Sequence, residues 1–299
     1  DCMSKLNVDT IEPRGATTLT LGASGDTVDL SNAAVTLPDS AYLANRNMII
    51  NGNFDIWQRG TSFAAIAAAA YSADRYKYYK VGAAVHTITR DTDVPTQAES
   101  GSKSNYSVKI DCTTVDSSIA AGDEVNFRQT VEGYNLQSLM GNTATLSFWV
   151  KGTKTGIHCV SFVNSGTDRS YVVEYTISVT DTWEKKTITV AFSDSGGTWD
   201  YTNGTGVIIM WSLAAGTTFH TTAGAWQTGN YRSTSNQVNA CDSTSNNFFL
   251  SQVQLEVSPT ATPFEHKTFG QEFADCCRYY QNSYTSVKPD VAPARKDCM

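Results

Sequence analysis

The feature that most constrains this chain is alternation. Between residues 106 and 257, run after run places large apolar side chains at every second position. Tyr106, Val108, Ile110 and Cys112 fall on one side, with Ser107, Lys109 and Asp111 on the other. Val125, Phe127, Gln129 and Val131 alternate with Asn126, Arg128, Thr130 and Glu132. Ala144, Leu146, Phe148 and Val150 alternate with Thr145, Ser147 and Trp149. Tyr171, Val173, Tyr175, Ile177 and Val179 make the cleanest run, followed by Ile188, Val190 and Phe192 and then Val207, Ile209, Trp211 and Leu213. Phe249, Val253, Leu255 and Val257 finish the series opposite Gln252, Gln254 and Glu256. A two-residue period marks a strand with one buried face. Gly, Asn, Asp and Ser fill the gaps, as turns require. The pattern predicts at least eight strands, with no helical period before residue 269. The expected fold is all-β, a two-sheet β-sandwich of jelly-roll type. Ala214 to Asn247 exceeds a normal connection and is either a functional loop or a hidden hairpin.

With 299 residues the chain can bury a substantial core without a disulfide or metal staple. Charged residues make up only 17%, which suits strands and turns better than helices. The net charge of −7 argues against a nucleic-acid partner, which needs clustered Lys and Arg, and suits polar neutral ligands such as glycans. Seven cysteines stand at irregular spacing, with no CxxC pair and no Cys/His cluster. No zinc site and no cofactor are expected, and buried reduced thiols from a reducing cytosol are the plain reading. Met3 reads as a natural start, and the residues after it lack an apolar signal core. The most apolar stretch, Phe63 to Tyr71, is too short to span a bilayer, so no membrane insertion is expected.

The segment Asn47 to Lys80 has a denser character. Ile49-Ile50-Asn51-Gly52 is a short apolar run ending in a turn dipeptide, then come Phe54, Ile56, Trp57 and the triplet Gln58-Arg59-Gly60. An alanine-rich spacer leads to Tyr71-Ser-Ala-Asp-Arg-Tyr76. Composition predicts a buried entry strand, a bulged loop and a second strand, with Asp74 and Arg75 as a structural ion pair and Trp57 in the core. The residue order INGNFDIWQRGTSF followed by YSADRY resembles the entry segment of a β-sandwich module of bacteriophage tail-fibre and related virion-surface proteins. Gln252 to Val257 with Thr262-Pro-Phe-Glu-His266 resembles that module's exit strand and clasp, and Ala274 to Tyr280 its following helix. Gln129 to Leu139 through Leu146-Ser-Phe-Trp-Val-Lys151 resembles carbohydrate-binding sandwich modules, which speaks to fold more than to ligand.

Three regions follow. Residues 1–45 carry sparse apolar positions around a Gly-Asp turn, too few for their own core. This arm resembles the N-terminal arm of phage fibre proteins, in which three chains intertwine. Leu19, Leu21, Val28, Leu30, Val35 and Leu37 are then its trimerisation residues; a floppy leader is the alternative. Residues 46–268 form the sandwich. Residues 269–299 hold a short amphipathic helix with Phe269, Phe273, Cys276, Cys277 and Tyr280 on one stripe, then a polar tail.

No nucleophile–base pair, metal cluster or phosphate loop is visible, so no catalytic residue is assigned and the chain is expected not to be an enzyme. His86, His158, His220 and His266 share no motif, and His158 reads as a satisfied histidine. Asp55, Asp74, Glu124, Glu132 and Glu174 are carboxylate candidates by type alone. Sugar rings stack on exposed aromatics flanked by polar side chains, and Trp199, Tyr201, Trp226 and Tyr231 stand in such loops. Trp149 and Trp183 fit sheet packing or a subunit interface equally well, while Trp211 belongs to the core. What the resemblance implies is a structural virion component of a tailed phage, assembled in the host cytoplasm. It would be a homotrimer, docked through its arm to other tail or capsid proteins and displaying the sandwich toward a host glycan. The alternatives are a glycan-depolymerising or deacetylating tailspike enzyme on the same fold, and a free carbohydrate-binding module.

Overall fold

The computed structural model describes residues 45–193 and 195–282, all within the unit the chain forms after residue 38. The arm positions Leu19, Leu21, Val28, Leu30, Val35 and Leu37 lie outside the described residues. In chain order the strands are β1 (Ser62–Phe63), β2 (Tyr76–Val81), β3 (Val85–Asp91), β4 (Ser107–Thr114), β5 (Glu124–Glu132) and β6 (Thr143–Gly152). They continue with β7 (Gly156–Asn164), β8 (Arg169–Ile177), β9 (Glu184–Ala191), β10 (Thr205–Ala215), β11 (Trp226–Thr228) and β12 (Asn247–Glu256). Three short helices accompany them: α1 (Gln97–Ser100), α2 (Gly133–Leu136) and α3 (Phe269–Cys277).

The strands build two six-stranded antiparallel sheets. One has the order β1-β3-β4-β12-β6-β9 and the other β11-β8-β7-β10-β5-β2. Most successive strands pass from one sheet to the other, the exceptions being β3–β4, β7–β8 and β10–β11, in the manner of a jelly-roll β-sandwich. The inner faces meet through large rings. Phe148 of β6 stands edge-on to Trp211 of β10 at 5.6 Å and to Tyr175 of β8 at 5.3 Å. Trp57 and Trp211 are both buried, as their apolar contexts predict.

Two features depart from simple alternation. In β12 the register slips between Ser251 and Gln254, and Gln252 takes a left-handed φ of 47°. This bulge adds one residue, so Phe248 and Leu250 before it share the core face with Val253 and Leu255 after it. Phe249, which alternation puts inside, instead packs against Trp183 on the other face, at 6.0 Å. In the run through β8, the strand ends at Ile177, and Val179 is 54% exposed.

The entry segment is also not a strand. Residues 47–60 run as turns and irregular backbone although Ile49, Phe54, Ile56 and Trp57 are buried. Side chains replace the missing ladder. The Gln129 amide both accepts from Ile50 N–H, at 2.9 Å, and donates to Ile50 C=O, at 2.8 Å. Asn51 Oδ1 accepts from Ile56 N–H while its Nδ2 donates to the carbonyls of Ile56 and Asp74. Asn47 Oδ1 accepts from the amides of Ile49 and Leu255. Backbone polar groups buried without such partners are destabilising, which explains the density of Asn and Gln here.

The expected Asp74–Arg75 pair is not formed. Asp74 accepts from Gln58 and faces Arg59 at 3.6 Å, whereas Arg75, at φ 72°, turns away to donate to Thr130 C=O. The C-terminal helix forms as expected, but Phe269 is 56% exposed, and the groups it turns inward are Glu272 and Cys276.

Gly52 abuts the bulge: it accepts from Val253 N–H, and a Cβ on it would overlap the Val253 carbonyl oxygen. Gly52→Ala should therefore lower stability by about 1–3 kcal/mol through enforced backbone displacement. A shift of the denaturant midpoint checks this.

Candidate functional site

Of the loop aromatics, the structure brings two together. Trp226 lies on β11, an edge strand paired with β8, and Trp199 meets it edge-on at 5.6 Å. Trp226 also packs against Phe192 at 5.6 Å and Tyr171 at 5.4 Å. Both indole N–H groups are spent internally, Trp226 on Ala191 C=O and Trp199 on Gly196 C=O. Tyr201 is half-buried against the core, and Tyr231 lays its ring against Gly229. The four candidates are thus half-buried rings tied to the sandwich, not free platforms.

The long segment after β10 is neither a plain loop nor a hairpin. It contributes β11 and then crosses the outer face of the second sheet. Gln237 donates to Ser212 of β10, Thr234 donates to Glu174 of β8, and Arg232 reaches Glu124 of β5 at 2.8 Å. Arg232 and Glu124 are both buried, so this ion pair pins the segment down in surroundings poorer in water than the surface.

The carboxylates named from sequence prove mostly engaged. Asp74 serves Gln58 and Arg59, Glu124 serves Arg232 and Asn126, Glu132 serves Arg278 and Tyr279, and Glu174 serves Thr234 and Asn236. Asp55 differs. It lines a cavity of about 250 Å³ with Asn53, Tyr106, Phe264, His266 and Glu272. Glu272 comes from α3 and accepts from Asn51 N–H. Burial pushes both carboxyls above their ordinary values, and the charge of Asp55 adds to the rise at Glu272. Two carboxyls on one cavity can engage sugar hydroxyls. They are also of the type that general acid–base chemistry uses. Sequence reading missed Glu272 because helical spacing put Phe269 and Phe273 on the inner stripe.

The buried histidines and thiols among the described residues are engaged within the fold. His86 donates or accepts with Tyr78 Oη at 2.7 Å, and burial lowers its pKa to about 4. Cys241 lies 3.7 Å from His86 Nε2, but burial raises the thiol far above its usual range, which keeps it protonated and inert. His158 Nε2 meets Lys154 C=O and His220 Nε2 meets Ala215 C=O, each at 2.9 Å. Among the described residues no cluster of His, Cys, Asp and Glu is arranged to hold a metal ion. No helix among them is long and apolar enough to cross a membrane.

No family model and no curated protein matches the chain. Solved structures with similar architecture include the enzymatically active domain of tailspike protein 4 of bacteriophage CBA120. That pair shares 14% identity and a TM-score of 0.38 over 71% of this chain and 21% of that one. The chain thus spans about a fifth of the tailspike chain. A family 11 carbohydrate-binding module from Clostridium thermocellum, in complex with a mixed-linked tetrasaccharide, gives 10% identity and a TM-score of 0.34 over 67% and 98% of the two chains. A cyclase from Fischerella sp. TAU gives 9% and 0.38 over 71% and 96%. Scores and identities this low carry no functional inference.

The two raised carboxyls fix a pH dependence. Because the folded chain holds these protons more tightly than the unfolded chain, their contribution is most favourable at acid pH. It is lost as pH rises from the ordinary carboxylate value through the raised one. Glu272→Gln keeps an acceptor for Asn51 N–H without a buried charge. Its melting temperature should fall less than the parent's between pH 5 and pH 8, and thermal melts at both pH values check this.

Proposed function

We propose that this chain is a non-enzymatic structural component of a tailed-phage virion whose β-sandwich recognises a host-surface glycan. The observation that carries the reading is the aromatic edge at β11, where Trp199 and Trp226 stand in edge-to-face contact beside polar loops. Rings held by packing and by internal N–H bonds lose little freedom when a sugar stacks on them, which favours recognition. The entry and exit motifs that resemble fibre modules support the virion assignment, and their residues are those that stitch the fold shut. In this reading residues 1–45 mount the protein on other tail or capsid proteins and hold three copies together. Three sandwiches on one axis multiply avidity for a repetitive surface.

Binding of the full chain to host envelopes tests the reading. Trp199→Ala should weaken binding by about 1–3 kcal/mol, the range of a hot-spot ring, with the fold unchanged. Trp226→Ala is a poorer probe, since Trp226 also packs against Phe192 and Tyr171. Unchanged binding of Trp199→Ala would move the aromatic edge to a purely structural role. The trimer is checked by light-scattering mass: full-length protein should be three chains, and protein lacking residues 1–43 a folded monomer.

The Asp55–Glu272 cavity favours one second reading, a glycan-depolymerising or deacetylating enzyme on this fold. Release of reducing ends or acetate from host polysaccharide, abolished by Asp55→Asn, would establish it in place of the binding-only reading.

A further inference from the structure

On a chain of net charge −7, cations are nevertheless gathered along one side of the second sheet. Tyr76 and Tyr78 of β2 point into the core with Phe127 of β5, so Lys77, Tyr79 and Arg128 point out. Lys77 is the ladder partner of Arg128. Around them cations and rings alternate. Arg59 lies 3.5 Å over Tyr280 and 5.0 Å from Tyr71, Lys77 lies 5.7 Å from the same Tyr71 ring, and Arg128 lies 4.1 Å over Tyr79. Arg75 joins the strip from the side, 3.4 Å over Tyr279.

The carboxylates bordering this strip are already taken. Asp74 faces Arg59 at 3.6 Å, Glu124 faces Arg232 at 2.8 Å and Glu132 faces Arg278 at 2.6 Å. Among the described residues none offers a carboxylate within ion-pair distance to Arg75, Lys77 or Arg128. Arg128 adds a charge with no carboxylate on it, its Nε and Nη2 being covered and without a hydrogen-bond partner among the described residues. A guanidinium charge left without a carboxylate beside Lys77 attracts an anion laid along the strip. Tyr71, 42% exposed between two cations, supplies a ring for a sugar face.

We propose that this strip binds the carboxylate groups of an acidic polysaccharide, with Lys77 on the anion, the charge of Arg128 beside it, and Tyr71 and Tyr79 against the sugar rings. The proposal rests on the glycan-recognition reading and names its ligand class. It places the contact on β2 and β5, away from the aromatic edge at β11. The register of Lys77 with Arg128 puts two cations side by side across neighbouring strands, about 5 Å apart at the backbone. A uronate polymer presents one carboxylate per residue and a hydroxylated ring between, which matches the alternation of cation and aromatic. Nucleic acids share the charge but carry it on phosphates, and the titration below separates them from uronates.

Calorimetric titration of the full chain with polyguluronate, dextran and a single-stranded oligothymidylate tests this. Polyguluronate should bind, more weakly as salt rises, and dextran should not bind at the strip. Lys77→Gln should weaken polyguluronate binding about tenfold with an unchanged melting temperature. Arg128→Gln should weaken it at least as much, and Lys77→Gln keeps the test valid if Arg128→Gln proves less stable. Equal binding of dextran, no effect of Lys77→Gln, or oligothymidylate binding as tight as polyguluronate would each overturn the proposal. Host envelopes bound equally well by Lys77→Gln, Arg128→Gln and the parent would sink the strip and leave the wider glycan reading standing. Envelopes left unbound by a parent that still binds polyguluronate would do the reverse.

Discussion

A backbone that enters the interior without a strand ladder must find its hydrogen bonds elsewhere, and the rest of this structure follows from how that is met. Residues 47–60 are threaded past the bulge in β12 and beneath α3 as irregular chain. Asn47, Asn51, Asp74, Gln129, Glu265 and Glu272 supply the acceptors and donors that a neighbouring strand would have given. Glu265 alone accepts from the amides of Asn45 and Asn47. Residues far apart in sequence are thereby tied at one place: the entry, the exit strand, β5 and the C-terminal helix. The helix is held by the same logic, since Arg278 and Tyr279 both reach Glu132 and Gln58 donates to Tyr280 C=O.

This arrangement shapes the surface available for recognition. The segment after β10 covers the outer face of the second sheet over β8, β7 and β10, fixed by the buried Arg232–Glu124 pair. What remains open on that sheet is the side nearer β2, where Arg59, Lys77, Arg75 and Arg128 collect, and the β11 edge with Trp199 and Trp226. The rings and cations therefore stand on strands and anchored loops rather than on a free lid. Sites built on such rigid supports lose little freedom on binding.

Much of the fold was legible because alternation reports burial directly. Phe127, Phe148, Trp211 and Ile188 fall where their period puts them. The bulge at Gln252 was not legible, because one inserted residue reverses the phase without changing residue types, and so Phe249 was placed on the wrong face. Side-chain amides standing in for a ladder leave no period at all, which is why residues 47–60 read as a strand. The candidate site was less legible still. Asp55 was visible by type, but its companion Glu272 lies more than 200 residues away and enters only through the docking of α3. The cationic strip was hidden by the net charge, which averages over the whole molecule, whereas the carboxylates bordering the strip are held in ion pairs. The asymmetry of Arg59 and Arg75 around Asp74 depended on a left-handed backbone at Arg75 that composition does not announce.

Amide hydrogen exchange at Ile50, Asn51, Ile56 and Gln58 tests most directly whether side chains have replaced a strand at the closure of this fold. Each of these N–H groups donates to a side-chain oxygen rather than to a neighbouring strand. The account predicts protection comparable to that of Ile209 and Met210 in the middle of β10, with all four amides opening together. Exchange at the rate of the exposed 115–122 connection, while β10 stays protected, would contradict it.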